Sequence, residues 1–292
     1  MADERMKKSL LTFLWLLLAV VGSWAQPLYV GSYNIRYQNN DDARAGNGWQ
    51  QRCPVICGQI AFEHPDIFGT QEVLDGQLND MLQLLPDYDY IGVGRDDGAN
   101  DGEFAAIFYD KKKLRLLDYG NFWLSETPEK PSLGWDAACI RICTWGKFRC
   151  RQSRKTFFFF NLHMDHVGKV ARREGAKLVV DRIRKLASKK PVVLTGDFNV
   201  DQNDEIYAIF ANSGLLNDCY THAAIRFAEN GTFNNYRPDY KTSSRIDHVF
   251  VSPMFAVERY GILTNGYWAN SGDRTIRRLP SDHYPVMVHL SF

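Results

Sequence analysis

Apolar positions along this chain cluster in short runs, roughly 4–8 residues long, that break at Gly, Pro, Asn or Asp. Several runs are apolar at consecutive positions, as in Phe157–Phe160 and Val192–Leu194, which is the pattern of strands covered on both faces. The runs predict strands near 28–34, 67–71, 89–94, 104–109, 114–124, 140–148, 156–162, 192–196, 246–251, 257–262 and 284–291. Helical spacing predicts helices near 48–63, 75–84, 168–188 and 203–212. The third is the clearest, with Val170, Ala171, Ala176, Leu178, Val179, Ile183 and Leu186 striped among Arg and Lys. Pro54 falls inside the first, which places the expected start of that helix at the proline. Many doubly covered strands with few helices imply two packed sheets flanked by helices, an α/β fold. No linker, repeat or low-complexity stretch divides residues 26–292, so one domain is expected.

Polar groups sit where these strands stop. Tyr29–Asn34 ends in an amide, Ile67–Glu72 in a carboxylate and Phe157–His163 in an imidazole. Val192–Asn199 carries Asp197 and Asn199, which alternate to one side while Phe198 turns to the core. Near the end come Arg245-Ile246-Asp247-His248 and Pro280-Ser281-Asp282-His283. Carboxylates for a hard cation, an amide to orient water and an imidazole to move a proton form the kit for phosphate-ester hydrolysis.

Taken in order, these segments resemble the endonuclease/exonuclease/phosphatase superfamily, the group of deoxyribonuclease I, abasic-site endonucleases, neutral sphingomyelinases, inositol-phosphate phosphatases and poly(A) deadenylases. Gly94-Arg95-Asp96-Asp97-Gly98, Phe122–Pro128 and Gly134–Ala138 are similar to exported bacterial members. The resemblance implies a four-layer α/β sandwich of two packed mixed β-sheets flanked by helices, with the polar strand ends meeting at one rim. It also implies a magnesium ion, which manganese can replace, with Glu72 as ligand, Asn34 supporting it and Asp282 as a second carboxylate of the metal site. Asp197 and Asn199 hold the attacking water. Asp247 fixes the tautomer of His283 and supports its charge. His163 contacts a non-bridging oxygen or protonates the leaving group, beside the loop residues Asp165 and His166.

Arg95 and Phe233 are the candidates for contacting substrate. A guanidinium can clamp phosphate with two parallel hydrogen bonds, although Asp96 or Asp97 could instead hold Arg95, and Glu103 could contact Arg95 or His163. Phe233 either packs in the core or stacks on a substrate group.

The formal charge of +1 shows no basic surplus of the kind that long nucleic acids usually require, which favours a small molecule or a short nucleic acid as substrate. A nuclease on DNA or RNA, a sphingomyelinase-like lipid phosphodiesterase and a non-catalytic exported binding protein on the same scaffold stay open. Lys7 and Lys8 precede an apolar stretch from Leu10 to Gly22 and then Ser23-Trp24-Ala25. This is the pattern of a signal peptide over residues 1–25, so the mature protein is expected to be periplasmic or secreted, monomeric and without a membrane span. Export permits disulfides. Cys139 and Cys143, four apart on an expected strand, would lie roughly 13 Å apart, too far to bridge each other. Cys53 and Cys57, one helical turn apart, fit buried thiols equally well, and no zinc spacing is present.

Overall fold

The run Phe157–Phe160 sets the layering. Phe157 and Phe159 face the space between two sheets, whereas Phe158 and Phe160 face a helix, as the two-residue period of a strand dictates. The computed structural model describes residues 27–292, so the signal-peptide reading of residues 1–25 lies outside the described residues.

From the N-terminal side come β1 (Pro27–Asn34), α1 (Asn40–Arg44), α2 (Trp49–Glu63), β2 (Ile67–Gln71), α3 (Asp75–Leu84), β3 (Tyr88–Ile91), β4 (Ile107–Asp110) and β5 (Leu114–Trp123). The middle holds β6 (Ile142–Cys150), β7 (Thr156–His163), α4 (Lys169–Ala187), β8 (Val192–Asp197), α5 (Glu205–Ala211), β9 (Asn217–Asp218), α6 (Cys219–His222) and β10 (Ile225–Phe227). The last stretch adds β11 (Asp247–Val251), β12 (Ala256–Ile262), β13 (Tyr267–Ser271), β14 (Arg274–Arg278) and β15 (Val286–Ser291).

One sheet runs β10-β12-β15-β1-β2-β4-β3, the other β5-β6-β7-β8-β11-β9, and β13–β14 is a separate hairpin. Both large sheets are mixed: β1 lies parallel to β2 and β7 parallel to β8, while their other main neighbours run antiparallel. Their inner faces share a core that includes Val30, Ile67, Phe148, Phe159, Val193, Val249 and Val288. Helix α4 covers the outer face of the six-stranded sheet through Ala176, Val179 and Ile183. Helices α2 and α3 cover the other sheet through Ile56, Ile60, Leu78 and Met81. The expected four-layer sandwich is therefore the fold.

Three local readings need correction. Helix α2 begins at Trp49, five residues before Pro54. The proline does remove one amide from the turn, but tertiary bonds hold the start: Trp49 Nε1 donates to Asp80 (2.8 Å), and Arg52 is anchored as described below. In α4, Val170 is exposed, so the buried stripe begins at Ala171. Cys139 precedes β6 rather than lying on it, and all six cysteines are free thiols, with Cys53 and Cys57 Sγ atoms 3.9 Å apart. Among the described residues no helix is long and apolar enough to cross a membrane.

A polar layer bridges the sheets just beneath their polar rim. Asn161 accepts from Gln71 Nε2 (2.7 Å) and Thr195 Oγ1 (3.0 Å), and donates to the carbonyls of Thr70 and Ala106. Gly69 makes room for it, since a Cβ there would sit 2.2 Å from Asn161 Oδ1. A buried amide with all its bonds made fixes the register of the two sheets relative to each other.

Candidate active site

Strand register brings three of the expected groups into one row. His163 on β7 is the pairing partner of Asp197 on β8, and Asp197 is the partner of Asp247 on β11. From the facing sheet, β1 delivers Asn34 opposite Gln71, and Glu72 follows at once with a left-handed backbone (φ 62) that turns the chain out of β2. The loop before β15 supplies Asp282 and His283. Ser281 pins it by donating to the Asn34 carbonyl (2.7 Å) while its oxygen accepts from the His283 amide (3.3 Å).

These groups open on one cleft of about 680 Å³, lined by Glu72, Arg95, His163, Asp197, Asn199, Phe233, Asp282 and His283 among others. Asn34 and Asp247 lie just behind its wall, each fully buried. All ten residues singled out from the sequence thus gather at this end of the molecule.

The contacts divide the cleft in two. On the acidic side, Asn34 Nδ2 donates to Glu72 Oε1 (2.9 Å) and Asp197 Oδ2 (3.0 Å), so its amide nitrogen faces the carboxylates and its oxygen accepts from the Arg36 amide. Asp197 Oδ1 accepts from the Asn199 amide (2.9 Å). The Asn199 side-chain nitrogen is held by the Met164 carbonyl (2.9 Å), which leaves its oxygen as the atom that can face the cleft. His283 Nδ1 lies 2.8 Å from Asp247 Oδ2, and its Nε2 lies 3.8 Å from Asp197 Oδ2. Phe233 meets the His283 ring edge-on, with centroids 5.1 Å apart, and remains half-buried at the wall.

Burial pushes Asp197 up to about 7, and the facing Asp247 adds to the shift. Burial alone would lower His283, but the bonded Asp247, then Asp197 and Asp282, hold it well above the ordinary imidazole range. Asp282 is raised by burial and by Glu72, against the pull of His283. Such crowding of carboxylates is what a divalent cation would relieve. Glu72, Asp197 and His283 each present a possible ligand atom, all within 4.8 Å of one another. A protonated His283 has no lone pair to give, which leaves the oxygens of Glu72 and Asp197 as the donors of that group that fit a hard ion.

The other side is basic. Arg95 Nη1 binds Glu103 Oε2 (2.6 Å), while Asp96 is more distant (3.7 Å). Glu103 lies 3.8 Å from His163 Nδ1, beyond a hydrogen bond, so of the two residues proposed for it Arg95 is the partner. Burial lowers His163 well below the usual range, and Arg141 and Arg95 lower it further, which keeps the ring neutral. Asp165 accepts from the amides of Val167, Gly168, Ala138 and Cys139, and so builds the loop. His166 is exposed and its Nδ1 lies 3.0 Å from Arg141 Nη2.

Two charged cleft residues escaped the sequence reading. Arg36 reaches Glu72 (3.7 Å) and Asp282 (3.8 Å) from a loop. Arg141 stands between Ile140 and Ile142 in a stretch that reads as buried strand, and a charge placed there was the available signal. Arg52, also unforeseen, is fully buried behind the site. It donates to the carbonyls of Ile35 (2.7 Å), Arg36 (3.1 Å), Asn47 (2.8 Å) and Pro280 (3.0 Å), joining the loop after β1 to the loop that carries His283.

The fold has close counterparts among known proteins. The model of the Endonuclease/Exonuclease/phosphatase family matches residues 31–283. An endonuclease/exonuclease/phosphatase family protein from Bacteroides thetaiotaomicron is 51% identical and superposes with a TM-score of 0.91, covering 92% of this chain and 98% of that chain. A mannosyl-6-phosphatase from Bacteroides thetaiotaomicron VPI-5482 is 52% identical, with a TM-score of 0.89 over 91% of this chain and 100% of that chain. The uncharacterized protein L388 of Acanthamoeba polyphaga mimivirus is 27% identical over 252 residues, 82% of this chain and 91% of its own length.

Proposed function

The chain belongs to the endonuclease/exonuclease/phosphatase family, and from that premise we propose that it is a metal-dependent hydrolase that releases phosphate from a small ester by attack of water. The observation that carries this reading is the bonded pair of His283 and Asp247 (2.8 Å) with Asp197 and Glu72 in the same cleft. A magnesium ion bound by Glu72, Asp197 and Asp282 would neutralise phosphate charge and polarise the phosphorus–oxygen bond.

The chain's own groups do the rest. Asp197 and the Asn199 oxygen orient the attacking water. His283, kept protonated by Asp247, faces the charge that develops on the phosphoryl oxygens. Neutral His163, on the other side of Asp197 from His283, donates a hydrogen bond to the ester. Phe233 offers an apolar wall to the alcohol part. The likeness to a mannosyl-6-phosphatase at 52% identity supports a hexose phosphate as that ester. We also place the mature protein outside the cytoplasm, beginning at Gln26, which N-terminal sequencing of the exported chain checks.

The test is a panel of mannose 6-phosphate, inositol phosphates, sphingomyelin, DNA and RNA, each with magnesium, manganese or a chelator. Sugar phosphate is expected to be cleaved fastest, with chelation lowering turnover roughly a hundredfold or more and magnesium restoring it. A metal-loaded protein inert on every ester would overturn the reading.

A further inference from the structure

We propose that Thr232 is a positioning residue that keeps Asp247 and His283 at bonding distance by pinning both of the segments that carry them. The inference rests on the hydrolase reading above and assigns the group that keeps its bonded pair aligned.

The two members of the pair come from different sheets. Asp247 opens β11 in the six-stranded sheet, and His283 sits in the loop that enters β15 of the seven-stranded one. A 2.8 Å bond between them requires the two rims to hold their relative position closely.

Segment 231–235 runs between these rims and bonds to each. Thr232 Oγ1 accepts from the amides of Ile246 (2.9 Å) and Asp247 (3.0 Å). The carbonyl of the same residue accepts from the Tyr284 amide (2.7 Å). Phe233 then pairs with His283 in a short antiparallel bridge, and the amides of Asn234 (2.7 Å) and Asn235 (3.1 Å) donate to the Asp282 carbonyl. Thr232 thereby spans from the backbone of Asp247 to the amide that follows His283.

The residue before it makes the fit close. Gly231 passes Ser244 so tightly that a Cβ there would collide with the Ser244 carbonyl oxygen. The amides of Gly231 and Thr232 donate to the carbonyls of Thr242 (2.6 Å) and Ser244 (3.2 Å), so the segment is held on both edges.

Thr232 is fully buried. A hydroxyl accepts two hydrogen bonds, and here both go to the start of β11. Valine has the same shape and no acceptor. It would leave two buried amides unmet where Asp247 begins, and the strand end would move to find them partners. A displacement of about 1 Å is enough to cost roughly a hundredfold in rate.

The experiment measures kcat and KM for p-nitrophenyl phosphate with magnesium in the wild type and in Thr232→Val, Thr232→Ser and Thr232→Cys. Thr232→Val is expected to lose roughly a hundredfold in kcat with KM within about threefold, because the pair serves the reaction and not the binding. Thr232→Ser keeps the hydroxyl and should stay within about fivefold of wild type. Thr232→Cys, whose sulfur accepts only weakly, should fall between them. In an Asp247→Asn background the loss from Thr232→Val should shrink to about twofold, since it acts through that carboxylate.

A valine variant as active as the serine one, a loss that falls on KM, or a full loss repeated in Asp247→Asn would overturn the proposal. Were the wild type inert on phosphate esters, the hydrolase reading would fall, and proton NMR would still decide about Thr232. The bonded proton between His283 Nδ1 and Asp247, identified by its loss in His283→Gln, should persist in Thr232→Ser and vanish into exchange in Thr232→Val. An unchanged signal in Thr232→Val refutes the pin. Matching thermal melts establish that the variants are folded. Should Thr232→Val not fold, Thr232→Cys carries the comparison, and a serine-like kcat there refutes it.

Discussion

The cleft sets two imidazoles against each other across one carboxylate. His163 Nε2 and His283 Nε2 lie 3.6 and 3.8 Å from the same oxygen of Asp197, and the two residues are almost equally buried, at 7% and 4% exposed. Their charge is nevertheless driven in opposite directions. His283 is bonded to Asp247 and held protonated; His163 is kept neutral by burial first, with Arg141 and Arg95 acting in the same sense. His248 supplies the reference. It is as buried as either, lies outside the cleft with Nε2 on the Val200 carbonyl, and falls to about 4 through burial, with Asp218 and Arg245 acting in opposite senses. Burial by itself therefore gives a neutral ring, and the high value of His283 is the work of its carboxylate.

The strongest way to break this contrast is Asp247→Asn. It keeps the shape but faces His283 Nδ1 with a group that no longer favours a charged ring. Turnover of a phosphate ester should fall by roughly a thousandfold with a thermal midpoint within a few degrees of wild type. A loss below tenfold would show that Asp247 does not govern His283.

A smaller effect comes from the reference histidine. Its folded value near 4 lies below the value of about 6.5 in an unfolded chain. Between those limits the unfolded chain takes up a proton that the folded one refuses. This contribution to stability is therefore complete above about pH 6.5 and is lost as pH falls toward 4. Denaturant titrations should show about 2 kcal/mol lost by pH 5 on account of this group, and His248→Gln should flatten that slope. An unchanged slope would mean that burial does not set the ring's charge.

The mildest change sharpens the comparison. A neutral ring that only donates or accepts a hydrogen bond can be copied by an amide, so His163→Gln should cost about tenfold in kcat, whereas His283→Gln should cost a hundredfold or more. Equal losses would erase the distinction between the two sides.

The sequence made the strand ends visible because an apolar run that stops at Asn, Glu, His or Asp needs no tertiary information to recognise. The pairing of Asp197 with Asp247 was not visible, since register belongs to two distant segments. Arg141 was concealed by its isoleucine neighbours, and Asn161 by the aromatic run before it. The hairpin β13–β14 left little apolar pattern because one face meets solvent, Trp268 being 71% exposed, and the other, with Tyr267, Ala269 and Ile276, is only half-buried. Helix α2 overrode its proline through contacts that no local propensity contains.

Arg52 ties together backbone positions 35 and 280, which are nearly the length of the protein apart, and β1 is zipped to β15 in the same region. The reactive end is thus closed by a segment far along the chain from β1. A nascent chain that has emerged only as far as β11 already owns Glu72, Asp197 and Asp247, yet it lacks the imidazole they are arranged around. Docking of β15 between β12 and β1 therefore completes the seven-stranded sheet and the polar rim in one step.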